Sequence, residues 1–143
     1  MRILGIDPGE KRIGLAISDP LGITAQSLEV ITYSEPGEPV RRIRQICREF
    51  DVDRLVVGNP LHMSGAKGIA SEKAELFAEL LRQELDLPVE LIDERLTSSR
   101  AEQTLIDGGT RRKKRKNLRD KLAAVFILET YLARMHSNSQ TDQ

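Results

Sequence analysis

A chain of 143 residues is long enough for one packed core and too short for two independent ones, so the function must sit on a single scaffold. Aromatic residues are only 3% of the total, which argues against a sheet that stacks bases on several rings, and one cysteine (Cys47) with two histidines (His62 and His136) excludes an internal disulfide and a Cys/His zinc site. The 22 basic and 22 acidic residues cancel, yet Arg111, Arg112, Lys113, Lys114, Arg115 and Lys116 stand together, so a polyanion is attracted at one place on an otherwise acidic molecule.

Residues 2–6 are an apolar run closed by Asp7-Pro8-Gly9, where proline and glycine favour a tight turn after a strand. Ile13, Leu15 and Ile17 alternate with Arg12, Gly14, Ala16 and Ser18, the period of a second strand. Asp19-Pro20-Leu21-Gly22 marks a turn and Ile23 to Ile31 a third strand, so the chain opens on a meander. Val40, Ile43, Cys47 and Phe50 then recur at helical spacing after Pro39. Leu55-Val56-Val57 is a short strand that breaks at Gly58-Asn59-Pro60, and Ala70, Ala74, Phe77, Leu81 and Leu85 define a second amphipathic helix.

A strand over Val89 to Ile92 comes next, followed by a short helix from Ser99, with Glu102 completing a capping box and Gly108-Gly109 stopping it. Leu118 to Met135 is the last, mostly buried helix, and the polar tail over 137–143 is expected to be disordered. The longest wholly apolar run, Leu122 to Leu128, is far below the ~20 residues that a membrane helix needs. With a charged, turn-rich opening this predicts a cytoplasmic protein that meets no membrane. The order βββαβαβαα implies one α/β domain over 1–136, a mixed five-stranded sheet with helices on both faces.

Three acidic positions stand out in that plan. Asp7 ends the first strand, Asp93 and Glu94 follow the last, and Asp120 lies near the start of the final helix. Ligand sites of α/β sheets gather at the carboxyl ends of strands, where converging carboxylates repel one another unless divalent cations neutralise them. Hard oxygen ligands select Mg²⁺ or Mn²⁺. Each residue also has an ordinary role: Asp7 as the start of an Asx turn, Asp93 and Glu94 as a solvated loop, and Asp120, three residues after Asn117, as a charge at a helix N-terminus. Only their joint placement favours chemistry. Gly5, Gly14 and Ala16 strip bulk from the sheet beside Asp7, for which close packing by a helix is the slightly better account. Cys47 lies on an apolar helical stripe and reads as core, and neither histidine has partners that make it a base or a ligand.

Four blocks in order, Ile6 to Asp19 (IDPGEKRIGLAISD), Val56 to Gly65 (VVGNPLHMSG), Asp93 to Ser98 (DERLTS) and Asp120 to Leu128 (DKLAAVFIL), resemble the YqgF family, also called RuvX, the Holliday junction resolvase family. The likeness spans nearly the whole chain. It implies an RNase H-like fold, with Asp7, Glu94 and Asp120 matching the acidic, metal-binding site. Strand alternation alone leaves open which of Asp93 and Glu94 turns inward; the resemblance selects Glu94. Ser64 stands where family members often carry an acid, and Glu10 occupies a variable position, which leaves the number of metal ligands open.

Metal-assisted hydrolysis of a phosphodiester is the chemistry this set suits, with Asp7 as the central ligand. Lys11, Arg12 and Arg95 are candidates to hold the phosphate backbone near the site, and Arg111 to Lys116 to bind it further out. The resemblance implies processing of the pre-16S rRNA 5′ end, with ribosomal precursor particles as partners, or cleavage of branched DNA, for which a homodimer would supply two symmetric cuts. Two further readings are a catalytically weak RNA-binding assembly factor that relies on the basic run, and a nucleotide-binding protein whose Asp7-Pro8-Gly9 turn approaches phosphate.

Overall fold

The structure, a computed structural model, describes residues 1–35, 37–61, 64–94 and 112–141, and within the last range the side chains of 121–137. Strands β1 (Ile3–Asp7), β2 (Arg12–Ser18) and β3 (Ala25–Thr32) lead to helix α1 (Gly37–Glu49). Strand β4 (Arg54–Asn59), helix α2 (Ile69–Leu85), strand β5 (Val89–Asp93) and helix α3 (Arg112–Thr141) follow. The five strands form one sheet in the order β3-β2-β1-β4-β5. β1–β2 and β2–β3 are antiparallel, and β1–β4 and β4–β5 parallel. The mixed sheet expected from the element order is therefore present.

Alternation along the strands sorts the core into two layers. Leu4, Ile6, Ile13, Leu15, Leu55 and Val57 pack with Val40, Ile43, Ile46 and Cys47 of α1 and with Ala78 and Leu81 of α2. Ile3, Ala16, Val56 and Ile92 point the other way and pack with Ala124, Ile127, Leu128 and Leu132 of α3. Helices thus cover both faces. Cys47 is core, as its helical position implied, and burial pushes its thiol up to about 11.

Several boundaries differ from the local pattern. β3 begins at Ala25 rather than Ile23, because the Asp19 carboxylate accepts the backbone N–H groups of Ile23 (2.6 Å) and Thr24 (2.7 Å) and holds both in the turn. β4 runs through Gly58 and Asn59, since pairing with Ile92 and Asp93 of β5 outweighs the weak strand preference of glycine. α3 starts at Arg112, not Leu118, and continues to Thr141. The basic run from Arg112 onward is therefore helical, Asn117 and Asp120 lie inside the helix rather than at its cap, and the helix continues past Ser137 as far as Thr141. Lysine and arginine lose little rotamer freedom in a helix, and no glycine or proline interrupts this stretch. The helix expected from Ser99 falls outside the described residues.

Gly5 shows why the sheet is bare at its centre. A Cβ there would lie 2.8 Å from Leu128 Cβ and 3.1 Å from the Ala124 carbonyl oxygen, so α3 crosses β1 almost in backbone contact. Gly5→Ala should destabilise the fold by about 1–3 kcal/mol through overpacking. Urea unfolding checks this, and unchanged stability would mean that α3 can back away at no cost.

Candidate active site

Asp7 is the last residue of β1 and pairs with Gly14 of β2. It shares its face with Ile3 and Gly5, the face that α3 covers. Glu94 directly follows β5, and its backbone N–H donates to the Asn59 carbonyl (3.2 Å), carrying the strand pairing one residue further. Being two residues beyond Ile92, which packs on α3, Glu94 also faces α3. Asp7 and Glu94 therefore meet at the carboxyl edge of the parallel strands, on one side of the sheet.

The same alternation separates Asp93 from them. Asp93 is in register with Asn59, whose Oδ1 accepts a hydrogen bond from the buried Ser71 Oγ of α2 (2.6 Å), so this pair of positions belongs to the opposite face. Sheet register, and not local sequence, decides between Asp93 and Glu94.

Glu94 is 8% exposed. Burial, then the Asp7 charge, a hydrogen bond with Asp7 that favours the protonated form, and the Asp93 charge push its carboxyl up to about 8. Loss of solvent is the leading cause. Between the two acids runs β4, where a Cβ on Gly58 would meet Glu94 Oε2 and lie 2.5 Å from Ile127 Cδ1. Gly9, in the turn after Asp7, has no room for a Cβ either, because the Arg12 carbonyl occupies that space. Neither glycine stands out as a site residue in the sequence. The available signal for Gly58 is a glycine inside an apolar strand run, which marks close approach as readily as a strand end.

α3 has a defined direction over this edge. Tyr131 accepts a 2.6 Å hydrogen bond from Arg54 Nη1 at the start of β4, whereas Ile127 lies over Gly58 near its end, so earlier helix residues lie toward the carboxyl edge. Asp120 precedes Ala124 by one turn in this helix; its side chain lies outside the described residues. Among the described residues, no three His, Cys, Asp or Glu side chains converge on one metal position.

The candidate phosphate-binding residues separate. Arg12 is half-buried and shares the α3 face with Gly14 and Ala16, hence with Asp7. Lys11 is exposed and lines a cavity of about 910 Å³ on the α2 side of the sheet, with Tyr33, Lys73 and Phe77. Arg95 and Arg111 lie outside the described residues; Arg112, Lys113, Lys114, Arg115 and Lys116 occupy the first turns of α3, without described side chains. His136 Nε2 is 3.1 Å from the Gly22 carbonyl oxygen, a structural contact far in sequence from the acids. His62 is outside the described residues. No helix among the described residues is long and apolar enough to cross a membrane.

The chain is similar to several known proteins. The family model described as RuvX, Holliday junction resolvase, matches residues 1–134. A protein of Clostridium acetobutylicum named "Putative pre-16S rRNA nuclease" is 44% identical, covering 92% of this chain and 98% of its own. A protein of the same name from Listeria innocua is 48% identical, covering 92% and 97%. T. thermophilus RuvC in complex with a Holliday junction substrate superposes with a TM-score of 0.54 at 24% identity, covering 94% of this chain and 96% of that one. The fowlpox virus Holliday junction resolvase gives 0.53 at 17% identity, covering 94% and 99%. The fold is thus the RNase H-like arrangement of RuvC-type resolvases.

Proposed function

The chain belongs to the RuvX, Holliday junction resolvase, family, and from that premise we propose that it is a divalent-metal-dependent nuclease that hydrolyses phosphodiester bonds in precursor 16S rRNA. The observation that carries the reading is the Asp7–Glu94 pair, two carboxyls brought together at a buried strand edge where they resist joint ionisation. Such a pair suits a hard divalent cation, because the cation removes the repulsion and every donor is oxygen.

Asp7 and Glu94 would hold Mg²⁺ or Mn²⁺, with Asp120 as the third ligand, since the course of α3 carries the turn before Ala124 toward the same edge. When bound, the cations supply a water of lowered pKa and charge stabilisation for the leaving oxygen. The chain's own part is to fix the carboxylates and exclude bulk water from Glu94. Arg12, on the face of Asp7, orients the scissile phosphate. Arg95 and the basic start of α3 hold the strand further out, whereas Lys11 faces the α2 side of the sheet, away from the acids.

Ribosomal RNA is favoured because relatives at 44% and 48% identity, matched over almost their whole lengths, carry that name. The reading places the protein in the cytoplasm, acting on ribosomal precursor particles. The family description supports a second substrate, branched DNA, for which a homodimer would make paired cuts. A cleavage assay with Mn²⁺ or Mg²⁺ that offers precursor rRNA, single strands and four-way junctions side by side tests both. Cleavage of none, at any metal concentration, would leave an RNA-binding assembly factor as the surviving reading.

The basic segment gives a separate test. Replacing Lys113, Lys114 and Lys116 with glutamine should weaken binding to all sequences alike. It should also flatten the salt dependence by up to ~0.9 in log–log slope for each duplex phosphate that is no longer neutralised. Turnover at saturating nucleic acid should stay near wild type. An unchanged salt slope would place the phosphate-binding surface elsewhere.

A further inference from the structure

Between Asp7 and Glu94 lies one strand position without a side chain. β4 is flanked by β1 and β5, Ile6 pairs with Val57, and Gly58 pairs with Ile92, so Gly58 stands between the positions of the two acids on the face that α3 covers. We propose that Gly58 is a positioning residue for Glu94: its missing side chain is the space in which the Glu94 carboxylate stands beside Asp7. The inference rests on the metal-dependent reading of that pair.

Backbone conformation gives no other reason for a glycine here. Gly22 and Gly65 are the glycines with positive φ among the described residues, and Gly58 is a paired strand residue that alanine can replace without backbone strain. What alanine cannot find is room. Its Cβ would collide with Glu94 Oε2, lie 3.2 Å from Glu94 Cδ, and lie 2.5 Å from Ile127 Cδ1.

Two groups compete to yield. Ile127, a residue of α3, is 0% exposed between its helix and the sheet, where close packing resists a shift of its Cδ1. The Glu94 carboxylate is the end of a flexible side chain at the strand edge, so it is the group that moves, and it moves away from Asp7. Gly5 is the natural comparison, because it too lies under α3 but the atoms nearest its missing Cβ belong to Leu128 and the Ala124 backbone. An added methyl at Gly5 loads the core, whereas one at Gly58 loads the ligand.

The test is Mn²⁺ binding by calorimetry, together with the Mn²⁺ requirement for cleavage, in Gly58→Ala, Gly5→Ala and double variants of Gly58→Ala. Gly58→Ala should weaken Mn²⁺ affinity roughly 10–100-fold, the scale of losing a ligand's support. Gly5→Ala should lose stability and keep its affinity. Adding Glu94→Asp, one methylene shorter, to Gly58→Ala should recover part of the missing affinity, although Glu94→Asp alone weakens binding.

Wild-type Mn²⁺ affinity in Gly58→Ala would overturn the inference, as would rescue by Ile127→Val and not by Glu94→Asp, which would mark Gly58 as a packing residue. Should Gly58→Ala fail to fold, Gly58→Ala/Ile127→Val relieves the apolar clash and takes its place, and wild-type affinity there overturns the inference equally. Mn²⁺ affinity that follows this pattern in the variants, in a wild-type protein that cuts no nucleic acid, would overturn the nuclease reading alone.

Discussion

Asp7→Asn is expected to abolish Mn²⁺- and Mg²⁺-dependent cleavage while leaving the protein folded. Asparagine is nearly isosteric with aspartate and forms the same Asx-type hydrogen bonds before Pro8-Gly9, so the turn that ends β1 survives. The anionic ligand does not. Because the alternative account of Asp7 is a turn residue, this substitution separates turn from ligand in one step. Activity should fall by at least ~100-fold, the upper end of what even an outer partner of a metal ligand costs, with the unfolding midpoint close to wild type. The neutral amide also removes a charge that opposes ionisation of Glu94, so Glu94 in the variant should titrate lower. Undiminished hydrolysis by pure Asp7→Asn protein would remove Asp7 from the site and the proposed chemistry with it.

Glu94 makes metal binding and stability depend on pH in opposite directions. Its carboxyl is raised from the ordinary 4.5 to about 8, first by burial and then by Asp7. Between those values the native state holds a proton that the unfolded chain has released. Stability of the metal-free protein therefore falls as pH rises, by up to about 1.4 kcal/mol per pH unit. The contribution is fully present below about 4.5 and lost as pH passes about 8.

A cation requires the deprotonated form, so it must displace that proton, and apparent Mn²⁺ affinity should rise ~10-fold per pH unit between pH 6 and 8 and level off above. Urea unfolding with a chelator and calorimetry with Mn²⁺, each at pH 5, 6, 7 and 8, check the two halves. Glu94→Gln should lose both slopes and be the more stable protein at pH 8 without metal, though a poor Mn²⁺ binder. Parallel curves for wild type and Glu94→Gln would show that Glu94 does not titrate in this window.

Much of this protein is readable along the chain. Alternation at Arg12 to Ser18 and helical periodicity at Ala70 to Leu85 are local regularities, and both elements appear where those patterns place them. The sequence of elements also implied the mixed sheet and helices on both faces. Element ends were less legible. The start of β3 depends on a carboxylate four and five residues upstream, and the extra length of β4 depends on a partner strand far along the chain.

The candidate site divides along the same line. Composition and spacing single out Asp7, the Asp93–Glu94 step and Asp120 as acids at strand and helix ends. Tertiary structure decided that Glu94 and not Asp93 turns toward Asp7, that Gly5 is bare for helix α3, and that Gly58 is bare for a carboxylate. The physical reason is that a period of two states only which residues share a face. Which face meets which helix, and which strand lies between two acids, is settled by pairing between segments far apart in the chain.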